Sequence, residues 1–391
     1  MISKKVKNNG VLKSKMPTKA NSFFRTVPQI KPSIDQKEVD EIIKVVRSTY
    51  ITEHQATRNF KASFRKMTGA KHVIAVFNAT VGLYTALKAL GVGPGDEVIV
   101  PDLTFVATAN SVIMAGAKPV FCDVDLKTFN IDPKEILKKI TKKTKVIMPV
   151  HLYGQPADMD QISKIAKKYK LFVVEDSAES VGATFNGKYA GTLGDIGVFS
   201  FYANKIMTTS EGGLILTNND DYAERCVILK NHGRVKPGTF IHPHVGFNFK
   251  FTDLQAAIGL AQFKKFPRMM KEKEKVMRWY KAGLKEVKEV EFPWIDSRCN
   301  PVIWFINILV PNAKELIAHL GDHGVETRSF FPPLHVQPCY SKALTKGKFP
   351  NADRLYHAGV SLPSSSSMTK EEVDYVCQGI KTFFASRKRS L

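Results

Sequence analysis

The segment Leu171-Phe-Val-Val-Glu-Asp-Ser-Ala-Glu179 sets the pattern of the fold, because an apolar run of strand length ends directly in two acidic residues. A continuous apolar run of this kind indicates a strand that is buried on both faces. Asp176 would then be partly desolvated at the strand end, where a carboxylate needs a cation or hydrogen-bond donors. A helix N-cap is an equally good interpretation of Asp176 from the residues alone.

The same alternation of short apolar runs and helical patterns extends outward from this segment. Further strands are predicted at the following positions: 73–77, 97–100, 118–123, 145–150, 198–201 and 213–217. Helical patterns separate most of them, which favours an α/β fold with a mostly parallel sheet and helices on both faces. Ligands of such sheets bind at the carboxyl ends of the strands, so residues that follow a strand are the candidates for a site.

The pattern changes after Gln255 and indicates a second domain. A long charged helix is expected at 264–288, followed by strands at 301–310 and 324–330 and a terminal helix at about 370–384. We therefore predict three parts: a disordered basic extension at 1–25, a large domain with the site at 26–265, and a smaller C-terminal α/β domain with a basic tail at 266–391.

Much of the positive charge lies at the two ends of the chain. The 391 residues carry 58 Lys and Arg against 36 Asp and Glu, a net charge of +22. Basic tails can bind nucleic acid or acidic membranes, but a solvated extension is the simpler interpretation. The body has neither a basic recognition helix nor aromatic residues interleaved on a sheet, so a nucleic-acid partner is disfavoured. A basic body also suits a small ligand that carries phosphates.

Composition excludes several other classes of protein. The apolar fraction of 43%, with 25 Gly and 20 Pro, excludes collagen-like and disordered chains. No stretch approaches the roughly 18 apolar residues of a membrane span, so no membrane partner is expected. The five cysteines are scattered and have no C-x-x-C spacing, which favours a reduced, cytoplasmic protein. Metal-ligand spacing is also missing, so no metal site is expected.

Two more polar groups follow predicted strands. Asn78-Ala79-Thr80 opens a helix whose free amides suit a phosphate, although a simple helix cap explains an isolated asparagine equally well. Ser200-Phe-Tyr-Ala-Asn-Lys205 places an amine beyond a buried strand, where desolvation would lower its pKa and make it a nucleophile; a surface lysine is the alternative. A phosphate cradle, an acid for a ring cation and an amine on adjacent strand ends are what a pyridoxal phosphate enzyme requires.

These motifs resemble the DegT/DnrJ/EryC1/StrS aminotransferases, which are fold-type I pyridoxal phosphate enzymes that act on nucleotide-linked keto-sugars. The resemblance covers roughly residues 27–385 and rests on these segments: 175–179, 199–205 with 211–213, and 246–252. It implies a large domain on a mostly parallel mixed sheet and a smaller C-terminal domain. Segments 151–160 and 242–248 are most similar to the branch of the family that aminates C4 of GDP-linked 4-keto-6-deoxy sugars.

The resemblance implies a role for each residue that would contact the cofactor ring. Lys205 would attach pyridoxal 5′-phosphate covalently and later move protons between the substrate and the cofactor. Asp176 would pair with the ring nitrogen and keep it protonated, so that the ring can accept electrons. Phe105 would stack on the ring, and Glu179 would lie near the phenolic oxygen of the ring.

The phosphate and the sugar would be held by a second group of residues. The backbone of Ala79 and Thr80 and the hydroxyl of Ser200 would bind the phosphate. Asn248 matches an asparagine that reaches the phosphate of the neighbouring subunit, which implies a homodimer with shared active sites. The sugar side would be lined by His151 and His335.

Two departures from the family pattern occur beside the phosphate. Ala79 stands where the family usually has glycine, which a cradle of backbone amides tolerates. Gly82 stands where a small residue such as alanine is more usual, and glycine weakens a helix by about 1 kcal/mol. Neither change removes the chemistry.

The implied reaction is a ping-pong transamination. L-glutamate would load the cofactor with an amino group and leave as 2-oxoglutarate, and the amine would pass to the C4 keto group of a nucleotide-linked 4-keto-6-deoxyhexose. Lys205 distinguishes this from the dehydratases of the family, which have histidine at that position. A C3-keto sugar is an alternative substrate, and a non-catalytic sensor or binding relative is an alternative function that the retained Lys205 and Asp176 disfavour. GDP, UDP and dTDP all stay open as the nucleotide.

Overall fold

The computed structural model describes residues 26–236 and 238–388. The basic extension predicted at 1–25 and the end of the basic tail lie outside the described residues. Within the described ranges, no helix combines the length and the apolar character that crossing a membrane requires.

The strands of the described residues form one large sheet and two small ones. In chain order they are β1 (His72–Val76), β2 (Glu97–Pro101), β3 (Lys118–Cys122), β4 (Thr144–Ile147), β5 (Phe172–Asp176), β6 (Thr184–Phe185), β7 (Lys188–Tyr189), β8 (Ile196–Ser200), β9 (Gly213–Thr217), β10 (Cys299–Asn300), β11 (Ile306–Leu309), β12 (Arg328–Ser329) and β13 (Gly359–Leu362). The large sheet has seven strands in the order β1-β9-β8-β5-β4-β2-β3. β9 alone among these seven runs antiparallel to its neighbours β8 and β1. The predicted α/β class with a mostly parallel mixed sheet is confirmed.

The helices surround this sheet and continue into the C-terminal part. They are α1 (Gln36–Ser48), α2 (Gln55–Thr68), α3 (Ala79–Ala89), α4 (Ala107–Met114), α5 (Pro133–Lys139), α6 (Met159–Tyr169), α7 (Asp220–Lys230), α8 (Asp253–Gly283), α9 (Ala313–Asp322), α10 (Lys342–Thr345), α11 (Pro350–Ala358) and α12 (Lys370–Lys388).

Both faces of the large sheet are covered, which explains why its strands read as continuous apolar runs. In β2, Val98 and Val100 lie in one apolar core and Ile99 lies in another. β5 divides in the same way, with Val174 in the first core and Val173 in the second. Because successive side chains of a strand point to opposite faces, the two cores lie on opposite sides of the sheet.

A third apolar core and the small sheet β11-β13-β12 form the C-terminal part of the molecule. The helix α8 begins well before the predicted 264 and contributes Ala256 to the first core and Val276 to the third. The boundary predicted at 265/266 therefore falls inside a continuous helix. The strand predicted at 301–310 is shorter than expected, because Val302 instead donates its amide to Gly154 O at 3.1 Å, in the large-sheet part of the chain.

Candidate active site

Several of the predicted site residues lie along one edge of the large sheet. Asp176 ends β5 and pairs with Val198 of the neighbouring β8, which itself ends at Ser200. Gly213 begins the antiparallel β9 opposite Ser200 on one side and opposite Val76 of β1 on the other. The sheet order thus brings the ends of three strands and the start of a fourth to a single edge, as parallel α/β sheets do.

Lys205 lies in the loop between β8 and β9, and its side chain is 13% exposed. Its Nζ is 3.6 Å from Glu179 Oε1 and 3.6 Å from the centroid of the Trp304 ring. Burial lowers the pKa of Lys205, and the carboxylates of Glu179 and Asp176 partly oppose that shift. The amine is therefore easier to deprotonate than a lysine in water, which is what a nucleophile requires.

Glu179 is the carboxylate in ion-pair contact with Lys205. Its Oε2 accepts a hydrogen bond from the Tyr153 amide at 2.7 Å. Burial raises the pKa of Glu179 to about 7, against the opposing effects of Lys205 and of that amide. An acid whose pKa lies near neutrality can both hold and release a proton at physiological pH.

Asp176 is buried at the end of β5 and has neutral donors. One carboxylate oxygen accepts from Thr108 Oγ1 at 2.7 Å, and the other accepts from the Ala178 amide at 3.2 Å. Burial raises the pKa of Asp176 in spite of these bonds. A cationic ring nitrogen placed against this carboxylate would lower the pKa of Asp176 again, because an adjacent positive charge favours the ionised acid.

The start of α3 leaves two amides free for an anion. The Asn78 side chain caps the helix by accepting from the Val81 amide at 3.1 Å. No acceptor among the described residues faces the amides of Ala79 and Thr80. Unpaired amides at a helix start favour a phosphate.

Gly213, at the start of β9, allows the start of α3 to lie close to the end of β8. A Cβ on Gly213 would lie 2.8 Å from the Asn78 carbonyl carbon and 3.0 Å from the Ala79 nitrogen, so a side chain is excluded there. Ser200 sits opposite Gly213 and lines the same small cavity as Lys205. Gly213 therefore brings the start of α3 close to Ser200, and Ser200 in turn lies beside Lys205 in the cavity.

Phe105 and Asn248 lie at the surface of the described chain. Phe105, between β2 and α4, is 55% exposed, and its ring centroid is 5.8 Å from that of Phe331. One face of an aromatic ring is thus available for stacking. Asn248 is exposed and pairs with Asn231 in an isolated antiparallel bridge.

His151 does not have the geometry expected of a residue that lines the sugar. It is fully buried, and its Nδ1 accepts from the Ala157 amide at 3.1 Å. The ring proton must then sit on Nε2, which donates to Glu175 Oε2 at 2.8 Å. Both ring nitrogens are used inside the protein, so the predicted contact with the sugar is not supported and His151 holds Glu175 instead.

His335 is likewise engaged on both sides of its ring. Its Nδ1 lies 2.6 Å from Asp102 Oδ2, and its Nε2 lies 3.3 Å from Asp353 Oδ1. Burial raises the pKa of Asp102 to about 6, and the contact with His335 opposes that rise. The ring joins the end of β2 to the C-terminal part of the chain, and this position does not favour the predicted sugar contact.

Three residues of the site carry no local signal in the sequence. Trp304 lies over Lys205, Thr108 donates to Asp176, and the Tyr153 amide donates to Glu179. Each acts from an element distant in sequence from its partner. A search limited to residues that follow strands does not find Trp304 or Thr108, which lie in an irregular segment and in a helix.

The fold, the amine, the buried acid and the unpaired amides at a helix start are features that an α/β aminotransferase requires. The family model described as DegT/DnrJ/EryC1/StrS aminotransferase family matches residues 32–381. The chain belongs to this family and is an enzyme, an aminotransferase.

Individual relatives agree with the family match. The chain is 38% identical to the GDP-perosamine synthase of Escherichia coli O157:H7, over 93% of this chain and 100% of that protein. It is 40% identical to the GDP-perosamine synthase of Caulobacter vibrioides, over 88% of this chain and 95% of that protein. The structure of Spr1654 from Streptococcus pneumoniae in its PLP-form superposes with a TM-score of 0.87 at 26% identity, over 92% and 98% of the two chains. The similarity to one branch of the family that segments 151–160 and 242–248 indicate is confirmed.

Proposed function

We propose that this chain transfers an amino group from L-glutamate to the C4 keto group of a nucleotide-linked 4-keto-6-deoxyhexose, with pyridoxal 5′-phosphate as cofactor. The product would be a nucleoside-diphosphate-linked 4-amino-4,6-dideoxyhexose, formed in the cytoplasm. The observation that carries the proposal is the convergence of Lys205, Asp176 and the free amides of Ala79 and Thr80 on one sheet edge. The relatives named GDP-perosamine synthase support the choice of a sugar substrate.

The residues of the site suit this cofactor in charge and in hydrogen-bonding capacity. The α3 amides with Ser200 would hold its phosphate, Asp176 would pair with its ring nitrogen, and Phe105 would cover one ring face. When bound, the cofactor supplies an electron sink for the bond changes at the carbon that carries the amine.

Lys205 and Glu179 would handle the protons of the reaction. The lowered pKa of Lys205 and the raised pKa of Glu179 bring the two groups closer in proton affinity than they are in water. Proton transfer is most efficient when the pKa of each partner lies near the working pH. Trp304 covers Lys205 Nζ and would exclude water from it.

A homodimer with shared sites is part of this proposal. The most exposed large apolar side chains of the segment before Asn248 are Phe240 at 86%, Ile241 at 77% and Val245 at 83%. Contiguous exposed apolar groups mark contact surfaces. A second copy of the chain would cover them and bring Asn248 to the cofactor phosphate of its neighbour.

Product analysis tests the substrate. The purified enzyme, loaded with cofactor, would be given L-glutamate and separately GDP-, UDP- and dTDP-linked 4-keto-6-deoxyhexoses, and the products analysed by NMR. We expect an amine at C4 with at least one of these, and GDP is favoured by the relatives. Amination only of C3-keto sugars would overturn the C4 assignment, and no amination of any keto-sugar would leave a sensor or binding function.

A further inference from the structure

A second cavity lies between α2, β1 and α7 and is separate from the site at Lys205. Its volume is about 510 Å³, and we call it the β1 groove. Its apolar surface comes from the following residues: Ala62, Val73, Ile74, Ala223 and Val227. Its charged lining includes the following residues: Glu53, Arg58, Lys61, Arg65, Lys71 and Lys230. The lining includes none of the residues assigned to the cofactor.

One wall of the β1 groove carries positive charge without compensation. Arg58, Lys61 and Arg65 are spaced three and four residues apart on α2, so one helix face presents all of them to the cavity. The sequence of α2 contains no acidic residue. Within the described ranges, no carboxylate lies within ion-pair distance of these three side chains, and Arg58 contacts Gln55 Oε1 at 2.8 Å.

The opposite wall is neutralised by fixed partners. Lys230 Nζ donates to Glu53 Oε1 at 2.6 Å and to Ala75 O at 2.9 Å. Lys71 pairs with Asp220 at 2.6 Å. Burial lowers the pKa of Lys230, Glu53 opposes that shift, and the positive charge of Lys61 adds to it. The excess charge of the groove thus belongs to the α2 wall.

We propose that the β1 groove binds a small molecule that carries a diphosphate, of the nucleoside diphosphate class. The two guanidinium groups and the ammonium group of α2 would bind the phosphates, because guanidinium groups match phosphate oxygens in geometry and charge. The apolar surface would contact the nucleoside. A cavity of this volume is in the range of small-molecule sites, whereas a nucleic acid needs an extended track of charges.

This site goes beyond the proposed transamination, because binding in the groove requires neither the cofactor nor Lys205. The charges of α2 would make the affinity fall as salt rises, since partly exposed charges are screened. Inorganic pyrophosphate, which has the phosphates without the nucleoside, separates the two sources of affinity.

The test is calorimetric titration of the full chain, loaded with cofactor, with GDP and with inorganic pyrophosphate at low salt. The variant Lys61→Glu/Arg65→Glu reverses the α2 wall, and Lys164→Glu/Lys167→Glu makes the same change on exposed positions of α6. We expect the wild type and the α6 control to bind GDP in the groove. The α2 variant should lack this binding or have an affinity for GDP that is lower by at least about tenfold. If pyrophosphate displaces GDP from the groove, the affinity comes from the phosphates. If GDP still binds in the presence of pyrophosphate, the affinity requires the whole nucleotide.

Identical GDP binding by the wild type and the α2 variant would overturn the proposal. Lys61→Gln/Arg65→Gln repeats the test without introducing negative charge, and circular dichroism verifies that both variants are folded. If the proposed transamination proved wrong, this test would still be valid, because it compares the GDP affinity of two proteins and does not measure turnover.

Discussion

The indole ring of Trp304 lies directly over the amine of Lys205, with 3.6 Å between the ring centroid and Nζ. The indole Nε1 also donates to Asn204 O at 2.8 Å, so the residue that covers the lysine is bonded to the backbone beside it. Trp304 precedes β11 of the C-terminal part, whereas Lys205 follows β8 of the large sheet. The environment of the amine therefore depends on the packing of the two parts of the chain.

Replacing Trp304 should slow catalysis without abolishing it. Trp304→Leu removes the ring that contacts the amine and the bond to Asn204, and a cation–π contact is worth about 0.5–2 kcal/mol. We expect kcat to fall about 2- to 30-fold with a smaller change in KM, and Trp304→Phe to recover part of the loss. Steady-state kinetics measure this, with Trp294→Leu as a control at an exposed tryptophan. Equal losses in both variants would argue against a specific role for Trp304.

Replacing Lys205 should abolish turnover and the visible absorption of the lysine-bound cofactor. The amine is the nucleophile of the proposed site, and Lys205→Ala leaves no other amine beside Glu179 in the described structure. Absorption spectra and a transamination assay measure the two effects. Lys164→Ala, on the exposed face of α6, should keep both. A variant lacking Lys205 that still turned over substrate would refute the assigned role.

Mixing two inactive variants tests the shared dimer site. If Asn248 serves the neighbouring subunit, a hybrid of Lys205→Ala and Asn248→Ala subunits has one site with both native residues. Random pairing should then restore about a quarter of the wild-type activity, because half of the dimers are hybrids with one intact site. Co-expression gives this random mixture, and the hybrid purified through two affinity tags should have about half of the wild-type activity, because one of its two sites is intact. No recovery would place Asn248 in the site of its own subunit.

Lys273 should make stability depend on pH. Its buried Nζ donates to Trp304 O at 2.9 Å and to Ser364 O at 2.5 Å, and burial lowers its pKa to about 7. Between that value and the ordinary 10.5, the unfolded chain binds more protons than the folded chain, so stability rises with pH across this window. The wild type should gain stability over Lys273→Met by up to about 1.4 kcal/mol per pH unit.

Urea unfolding at several pH values between 7 and 10 measures that difference, provided that the transition is two-state. Lys164→Met serves as the control, because an exposed lysine contributes little to such a slope. A difference between wild type and Lys273→Met that stays constant with pH would contradict the prediction.

Local sequence patterns predicted the parts of the site that depend on one element. The apolar run of β5 placed Asp176 at a buried strand end, and Asn78 at the start of α3 is the cap that leaves the next amides free. These features follow from strand burial and helix capping, which a short segment determines by itself.

Those local patterns could not predict contacts between segments that are distant in sequence. The prediction for His151 depended on family resemblance, and nothing near it indicates that Ala157 and Glu175 would occupy both ring nitrogens. The same holds for Trp304, whose position over Lys205 requires the C-terminal part to pack on the large sheet. Such pairs are determined by the tertiary fold.

Gly82 illustrates the difference between a local and a tertiary cost. As a helix residue, glycine is worse than alanine by about 1 kcal/mol, so sequence alone favours Gly82→Ala. In the structure a Cβ at this position would lie 2.8 Å from Val198 Cγ1 of β8 and 3.3 Å from Val76 Cγ2 of β1. Both neighbours are β-branched and cannot easily move aside. We therefore expect Gly82→Ala to destabilise the protein by about 1–3 kcal/mol.

A double-mutant cycle separates the two contributions. Val198→Ala removes the nearer methyl group, so Gly82→Ala should cost less in that background, with a coupling of about 0.5–3 kcal/mol in urea unfolding. Gly321→Ala on α9 is the matched control, because a Cβ there meets no atom within 4 Å and should stabilise the protein by up to about 1 kcal/mol. If the effects of Gly82→Ala and Val198→Ala simply add, the close approach of α3 to β8 does not explain the glycine.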